Sequence, residues 1–280
     1  MSGFTFSAFG PLSTLNGANG ANGANGANGA NGANGANGAN GAGSSYPADS
    51  GIETDALVRI RDGIAGAWKD PTTTVPHLPF GKPSHMERWS PFVRSMVLDF
   101  ELVSRLAFNH DDTGTVALWH SAREDTTSIA PPLVTYKPLV KLTRPSMDTL
   151  KAQLPLVNNY TELRTERATE ILAQLGLPYA FFSSIAYITP SHTPATLELL
   201  STGLRLASWA ALRSKHTLAC RRPSELSPLI QPMIQTPAHG SFPSGHGTEA
   251  FITATVLSSL LHEAGITDED WQGQLMTLAN

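Results

Sequence analysis

From residue 16 to residue 42 the triplet Asn-Gly-Ala repeats nine times without interruption. This tract sets where a fold can begin. Asn and Gly both favour turns, and neither supplies the apolar surface a core needs. Glycine at every third position has the period of collagen, but the tract contains no proline, which a triple helix uses to hold its chains extended. The expectation is a disordered N-terminal segment over 1–48 and a folded domain over 49–280. Phe4, Phe6 and Phe9 precede the tract with no pattern that says where they pack.

The part after residue 48 is long enough for one hydrophobic core or two small ones. Its charge is sparse: 19 Lys and Arg stand against 23 Asp and Glu, for a net charge of −4. A faintly acidic chain lacks the cationic surface of a general nucleic-acid binder, so no nucleic-acid partner is expected. The single cysteine, Cys220, excludes an internal disulfide framework and a four-cysteine metal site. The longest apolar stretches, 177–188 and 250–261, fall short of the ~20 residues that span a bilayer. No Lys or Arg precedes the apolar residues at the N-terminus, so it does not read as a secretory signal. These features predict a soluble intracellular protein, cytoplasmic or of unknown location, with no membrane span and with oligomer formation open.

Leu57, Ile60, Ile64 and Trp68 recur at spacings of three and four, which predicts a helix over 53–68. A proline-rich loop over 71–91 follows. Met96, Phe100, Val103 and Ala107 resume the helical period over 92–108. Asp111-Asp112-Thr113-Gly114 reads as a turn, 116–144 with Pro131-Pro132 as irregular chain, and 146–154 as a short helix. Further helices are predicted over 160–175, closed by Gly176 and Pro178, and over 179–188, apolar all round as a buried helix is. Thr193-Pro194 is a cap followed by proline at the first helical position, opening a helix to about His216. Another runs from Ser244 to Gly265. Thr267 with Asp268, Glu269 and Asp270 opens the last. No run of alternating strands stands out, so the expected fold class is all-α.

Three features carry chemistry. Lys215 lies 18 residues, five turns, after Leu197, on the face shared by Leu200, Leu204, Ala207 and Ala211. Such a lysine either snorkels out from the helix end or faces an anion, because a buried ammonium needs a partner. Next, Cys220-Arg221-Arg222-Pro223 places two guanidiniums after the helix end, either solvated or forked onto an oxyanion. Last, His239-Gly240-Ser241-Phe242-Pro243-Ser244-Gly245-His246-Gly247 sets small residues at the mouth of a helix. Its free amides favour an anion, and its glycines let a ligand approach the backbone. The serine nucleophile elbow is excluded, because Phe242 and His246 replace its glycines. His239, His246, Glu249 and His262 match no common zinc spacing.

Lys215, six residues, then Arg222-Pro223, followed by Pro243-Ser244-Gly245-His246, resembles the first two signature motifs of the type 2 phosphatidic acid phosphatase and vanadium-dependent haloperoxidase superfamily. The resemblance covers about 193–280, reaches more diffusely back to Glu53, and is closest to bacterial haloperoxidase-type members. It implies a helical bundle. It implies that Lys215, Arg222, Ser244 and Gly245 hold the oxygens of vanadate or phosphate, and that His246 is the catalytic acid–base group, which suits an imidazole near neutral pH. His239 occupies a place where brominating members carry a second histidine beside the site. The implied activity is peroxide-driven halide oxidation with vanadate as cofactor. The alternative is a soluble phosphatase, with no cofactor, acting on phosphate monoesters or lipid phosphates.

The family's third motif is Ser-Arg, five residues, then the histidine that is the phosphatase nucleophile or the direct vanadium ligand. No such motif follows His246. Ser104-Arg105 with His110 has the wrong spacing and order, and 275–280 resembles the stretch just upstream of that motif. The direct vanadium-ligand histidine is thus absent from this sequence. The expectation is a domain lacking its C-terminal part: a fragment, the product of a mispredicted reading frame, or a truncated, inactive remnant of an enzyme.

Overall fold

The computed structural model describes residues 51–66, 69–70, 72, 76–123, 129, 131–176 and 178–280. The Asn-Gly-Ala tract, the disorder expected over 1–48 and the predicted helix end at Trp68 lie outside them. The chain divides into two units, one ending at Val97 and the other running from Leu98 to Asn280. The first contains helix α1 (Gly51–Ala65), a 3-10 turn (Pro83–Arg88) and the start of α2 (Pro91–Ser104). There the Arg94 guanidinium donates to the carbonyls of Met86, Glu87 and Trp89, at 3.1, 3.2 and 2.8 Å, and so ties the 3-10 turn to the helix it precedes.

In the second unit the chain leaves α2 for a three-stranded antiparallel sheet in the order β1-β2-β3, with β1 at Leu106–His110, β2 at Thr115–Arg123 and β3 at Val134–Thr143. The Asp111–Gly114 turn joins β1 to β2. Asp111 Oδ1 accepts from the Thr113 amide at 2.9 Å, the Thr113 hydroxyl at 2.7 Å and the Thr115 amide at 2.9 Å. Gly114 supplies the left-handed φ of 88° that the turn requires.

This sheet overturns the all-α expectation. The helical spacing of Met96, Phe100 and Val103 continues to Ala107, but the helix stops at Ser104 and β1 begins at Leu106. The chain read as irregular over 116–144 holds two strands. Pro138 obscured the second, since a proline argues against a central strand; β3 is an edge strand, where the missing N–H is harmless. It pairs with β2 across an irregularity at Leu118/Trp119.

The remaining elements are helices: α3 (Met147–Ala152), α4 (Leu154–Asn159), a 3-10 turn (Tyr160–Leu163), α5 (Arg164–Ala173), α6 (Tyr179–Ala186), α7 (Pro194–Leu218), α8 (Pro223–Leu226), α9 (Gly245–Glu263) and α10 (Glu269–Ala279), with a long connection over 227–244 between α8 and α9. The helix expected over 160–175 thus opens as a 3-10 turn. Pro194 starts α7, but the Thr193 hydroxyl does not cap it; it bonds the Thr189 carbonyl instead, at 2.9 Å.

The 25-residue α7 links two cores. Leu200, near its start, packs with Phe182 of α6, Ala254 and Leu257 of α9 and Leu275 of α10. Leu218, at its end, packs with Val116 and Leu118 of β2 and with Cys220. Each fully buried leucine contributes about 1.5–3 kcal/mol, so both ends of α7 are held firmly. Lys215 lies at the sheet end of α7. Among the described residues no helix is long and apolar enough to cross a membrane.

Candidate functional site

The stripe Leu200, Leu204, Ala207, Ala211 is buried and leads to Lys215, only 3% exposed. Lys215 therefore does not snorkel. Its Nζ donates to the carbonyl oxygens of Gly240 at 3.1 Å and Ser241 at 3.2 Å. Burial, reinforced by the neighbouring Arg222 guanidinium, holds the ammonium below the usual lysine range.

The same turn engages Arg222. Its Nε donates to the His239 carbonyl at 3.0 Å, while Nη2 lies 3.4 Å from the Gly240 carbonyl and 3.0 Å from His239 Nδ1. α7 stops at Ala219, whose φ of 46° turns the chain, and Pro223 opens α8 immediately beyond Arg222. The Glu225 carboxylate accepts from the Arg222 amide at 2.6 Å, and its other oxygen lies 3.7 Å from Arg221. Backbone bonds complete the seam: the Ser241 amide donates to Cys220 O at 3.0 Å and the Ser241 hydroxyl to Arg221 O at 2.8 Å. The approach is close at Gly240: a Cβ there would stand 3.1 Å from Lys215 O and 3.3 Å from Cys220 O, so a side chain would push these backbone groups apart by a few tenths of an ångström.

Ser244 caps α9, its hydroxyl accepting from the Gly247 amide at 3.0 Å. A Cβ at Gly245 would meet nothing within 4 Å, so the backbone there is open to approach. His246 Nε2 lies 3.0 Å from the Gln174 carbonyl, which accepts and so places the ring proton on Nε2. Ser244, His246 and Gly247 line a cavity of about 500 Å³ whose opposite wall includes Gln174, Phe181 and Phe182.

The predicted residues thus form two groups. Lys215, Arg222 and His239 gather at the 239–241 turn. Ser244, Gly245 and His246 form the first turn of α9, with Ser244 and His246 on the cavity, which Lys215 and Arg222 do not line. Glu249 stands between the groups: it lines the cavity, accepts from the Ser208 hydroxyl at 3.2 Å, and its charge acts on Lys215. Glu249 was not among the expected oxyanion residues, although its position one turn beyond Gly245 was a signal for it. Gln174, whose backbone rather than side chain does the bonding, left no trace in the sequence.

Among the described residues no group of three or more His, Cys, Asp or Glu side chains could hold a metal ion. The donors at the turn are a guanidinium and an ammonium, groups that bind the oxygens of an oxyanion rather than a bare cation. Comparison with protein-family models, with curated proteins and with solved structures gives no match.

Proposed function

We propose that this chain carries the oxyanion-binding part of a vanadium-dependent haloperoxidase-like site, of the kind that oxidises halide with peroxide at a bound vanadate. One observation supports this above the rest: Lys215 is buried, and the hydrogen bonds of its ammonium go to two neutral carbonyls. The two carbonyl dipoles take two of its three N–H groups without cancelling its charge, and Arg222 adds a second positive charge beside it. A buried ammonium next to a half-buried guanidinium is costly unless an anion shares them. Lys215 and Arg222 would bind oxygens of the anion, and Ser244 and Gly245 would add donors from the mouth of α9. Vanadate, when bound, supplies a Lewis acid that polarises peroxide. His246 lines the cavity and would be its acid–base group, once its Nε2–H is released from the Gln174 carbonyl. No residue of these 280 is assigned as the nitrogen ligand of vanadium, so binding without turnover is the expected behaviour of this chain.

The test is titration calorimetry of the 280-residue chain with orthovanadate. Binding should be weak, and Arg222→Ala should lower it by about tenfold or more, the worth of one charged hydrogen bond. Binding that Arg222→Ala leaves unchanged overturns the assignment. Inorganic phosphate should compete for the same residues.

A further inference from the structure

Among the contacts of the turn, that between Arg222 and His239 has a chemical consequence of its own. His239 Nδ1 lies 3.0 Å from Arg222 Nη2 and 3.2 Å from the Gly240 carbonyl. These contacts make opposite demands. Toward the carbonyl, Nδ1 would have to carry a hydrogen; toward Arg222 it must carry a lone pair, because a guanidinium has only donors to offer. The shorter contact is to the obligate donor. The Gly240 carbonyl, moreover, is already served by Lys215 Nζ at 3.1 Å and Arg222 Nη2 at 3.4 Å, which fills its two lone pairs. The balance of donors and acceptors therefore leaves Nδ1 bare and puts the ring proton on Nε2.

We infer that His239 is a positioning residue for Arg222: as the neutral Nε2–H tautomer it accepts an Arg222 Nη2 hydrogen at Nδ1 and fixes the direction of the guanidinium. Arg222 Nε is held at the same time by the carbonyl of His239 itself, so one residue grips the fork at two atoms. With Nη2 and Nε so fixed, the guanidinium cannot swing toward solvent, and Nη1 is left as the group for a ligand oxygen. The inference rests on the oxyanion reading for what Arg222 binds, but not for how Arg222 is held.

The experiment has two parts, each on the full 280-residue chain. Long-range ¹H–¹⁵N spectra of the ligand-free protein, with His239 assigned by comparison with His239→Asn, should show a bare Nδ1 and a protonated Nε2. A protonated Nδ1 overturns the inference whatever the anion data show. The second part is calorimetry with inorganic phosphate on three variants. Asn places an acceptor oxygen where Nδ1 stood, Gln places its amide where Nε2 stood, and Ala places nothing. His239→Asn should bind within about twofold of the unchanged chain, while His239→Gln and His239→Ala should bind about fivefold or more weakly. His239 is exposed, so the variants should fold, and circular dichroism checks that they do. Equal affinities for the Asn, Gln and Ala variants show that the Nδ1 acceptor is irrelevant and overturn the positioning role. If the unchanged chain binds no phosphate at all, the oxyanion reading and the role of His239 in ligand binding fall together, while the tautomer still decides whether His239 holds Arg222.

Discussion

Arg205 and Lys215 are both buried cations of α7, ten residues apart, and their partners differ in kind. Arg205 meets a full negative charge: its Nε reaches both Asp99 oxygens, at 2.9 and 2.7 Å, and its Nη2 donates to the Thr202 hydroxyl at 3.1 Å. That arrangement is neutral as a whole. Lys215 has only carbonyl dipoles bonded to it, with the like charge of Arg222 nearby and Glu249 acting from a distance. Both cations donate hydrogen bonds; only one is neutralised by the groups it bonds. The difference separates a contact that holds the fold from one that leaves charge available to a ligand.

The largest effect should come from breaking the neutral pair. Asp99→Ala leaves Arg205 buried and uncompensated, which should cost about 3–5 kcal/mol. The double change Asp99→Leu with Arg205→Met should cost much less, because no charge then remains in the core. Urea unfolding measures both. If the single and double variants prove equally unstable, the pair's value lies in packing and the contrast with Lys215 loses its basis.

Removing Lys215 should have the reverse profile. Lys215→Met takes a costly charge out of the interior and leaves the Gly240 carbonyl bonded to Arg222, so we expect a stability loss of about 1–2 kcal/mol. Vanadate affinity should fall further, by about tenfold to a hundredfold, since a charged donor is lost. A variant that binds vanadate as well as the parent would show that the unneutralised charge serves no anion.

The pH dependence of stability sharpens the same point. The folded pKa of Lys215 is lowered, chiefly by burial and then by Arg222, below the ~10.4 of an unfolded lysine. Between the two values the unfolded state binds more protons, so Lys215 should make the folded state relatively more stable as pH rises toward ~10.4. Lys215→Met should remove this rise. Urea midpoints at a series of alkaline pH values, compared between parent and variant, give the answer; parallel curves would mean that Lys215 is not held in the way described.

The longer helices were legible in the sequence because their apolar residues keep a period of three and four, and because Ser146, Pro194, Ser244 and Asp268 mark their starts; the short α4, α8 and the 3-10 turn at Pro83–Arg88 were not. The sheet was not. Its central strand carries buried Thr115, Val116, Leu118 and Ser121, a set that breaks strict alternation, and its edge strand contains Pro138. For the site, Lys215 was conspicuous as a charge ending an apolar stripe, and Ser244 as a helix cap. Its partners were hidden for a physical reason. The carbonyls of His239, Gly240, Ser241 and Gln174 are backbone groups, which every residue has, and Asp99 lies 106 positions from Arg205. Periodicity reports which face a side chain takes, not which distant peptide group meets it.

The smallest effect concerns Asp111, an exposed counterpart of Lys215. It too is an ion held by neutral donors: the Thr113 hydroxyl and the amides of Thr113 and Thr115. Water surrounds it, so dipoles alone suffice and no counterion is needed. The Thr113 hydroxyl first, then the Thr115 amide, hold its carboxyl below the ordinary aspartate value. Its contribution is therefore fully present above the unfolded pKa of ~3.9 and is lost as pH falls through the lower folded value. Asp111→Ala should leave the protein folded and speed hydrogen exchange at the Thr113 and Thr115 amides near pH 6. The gap in exchange rate between parent and variant should close in strong acid, after allowance for the intrinsic slowing of exchange. A gap that persists there would mean that turn geometry, not the carboxylate charge, protects the hairpin. Asp111 would then cease to be a fair exposed counterpart to Lys215.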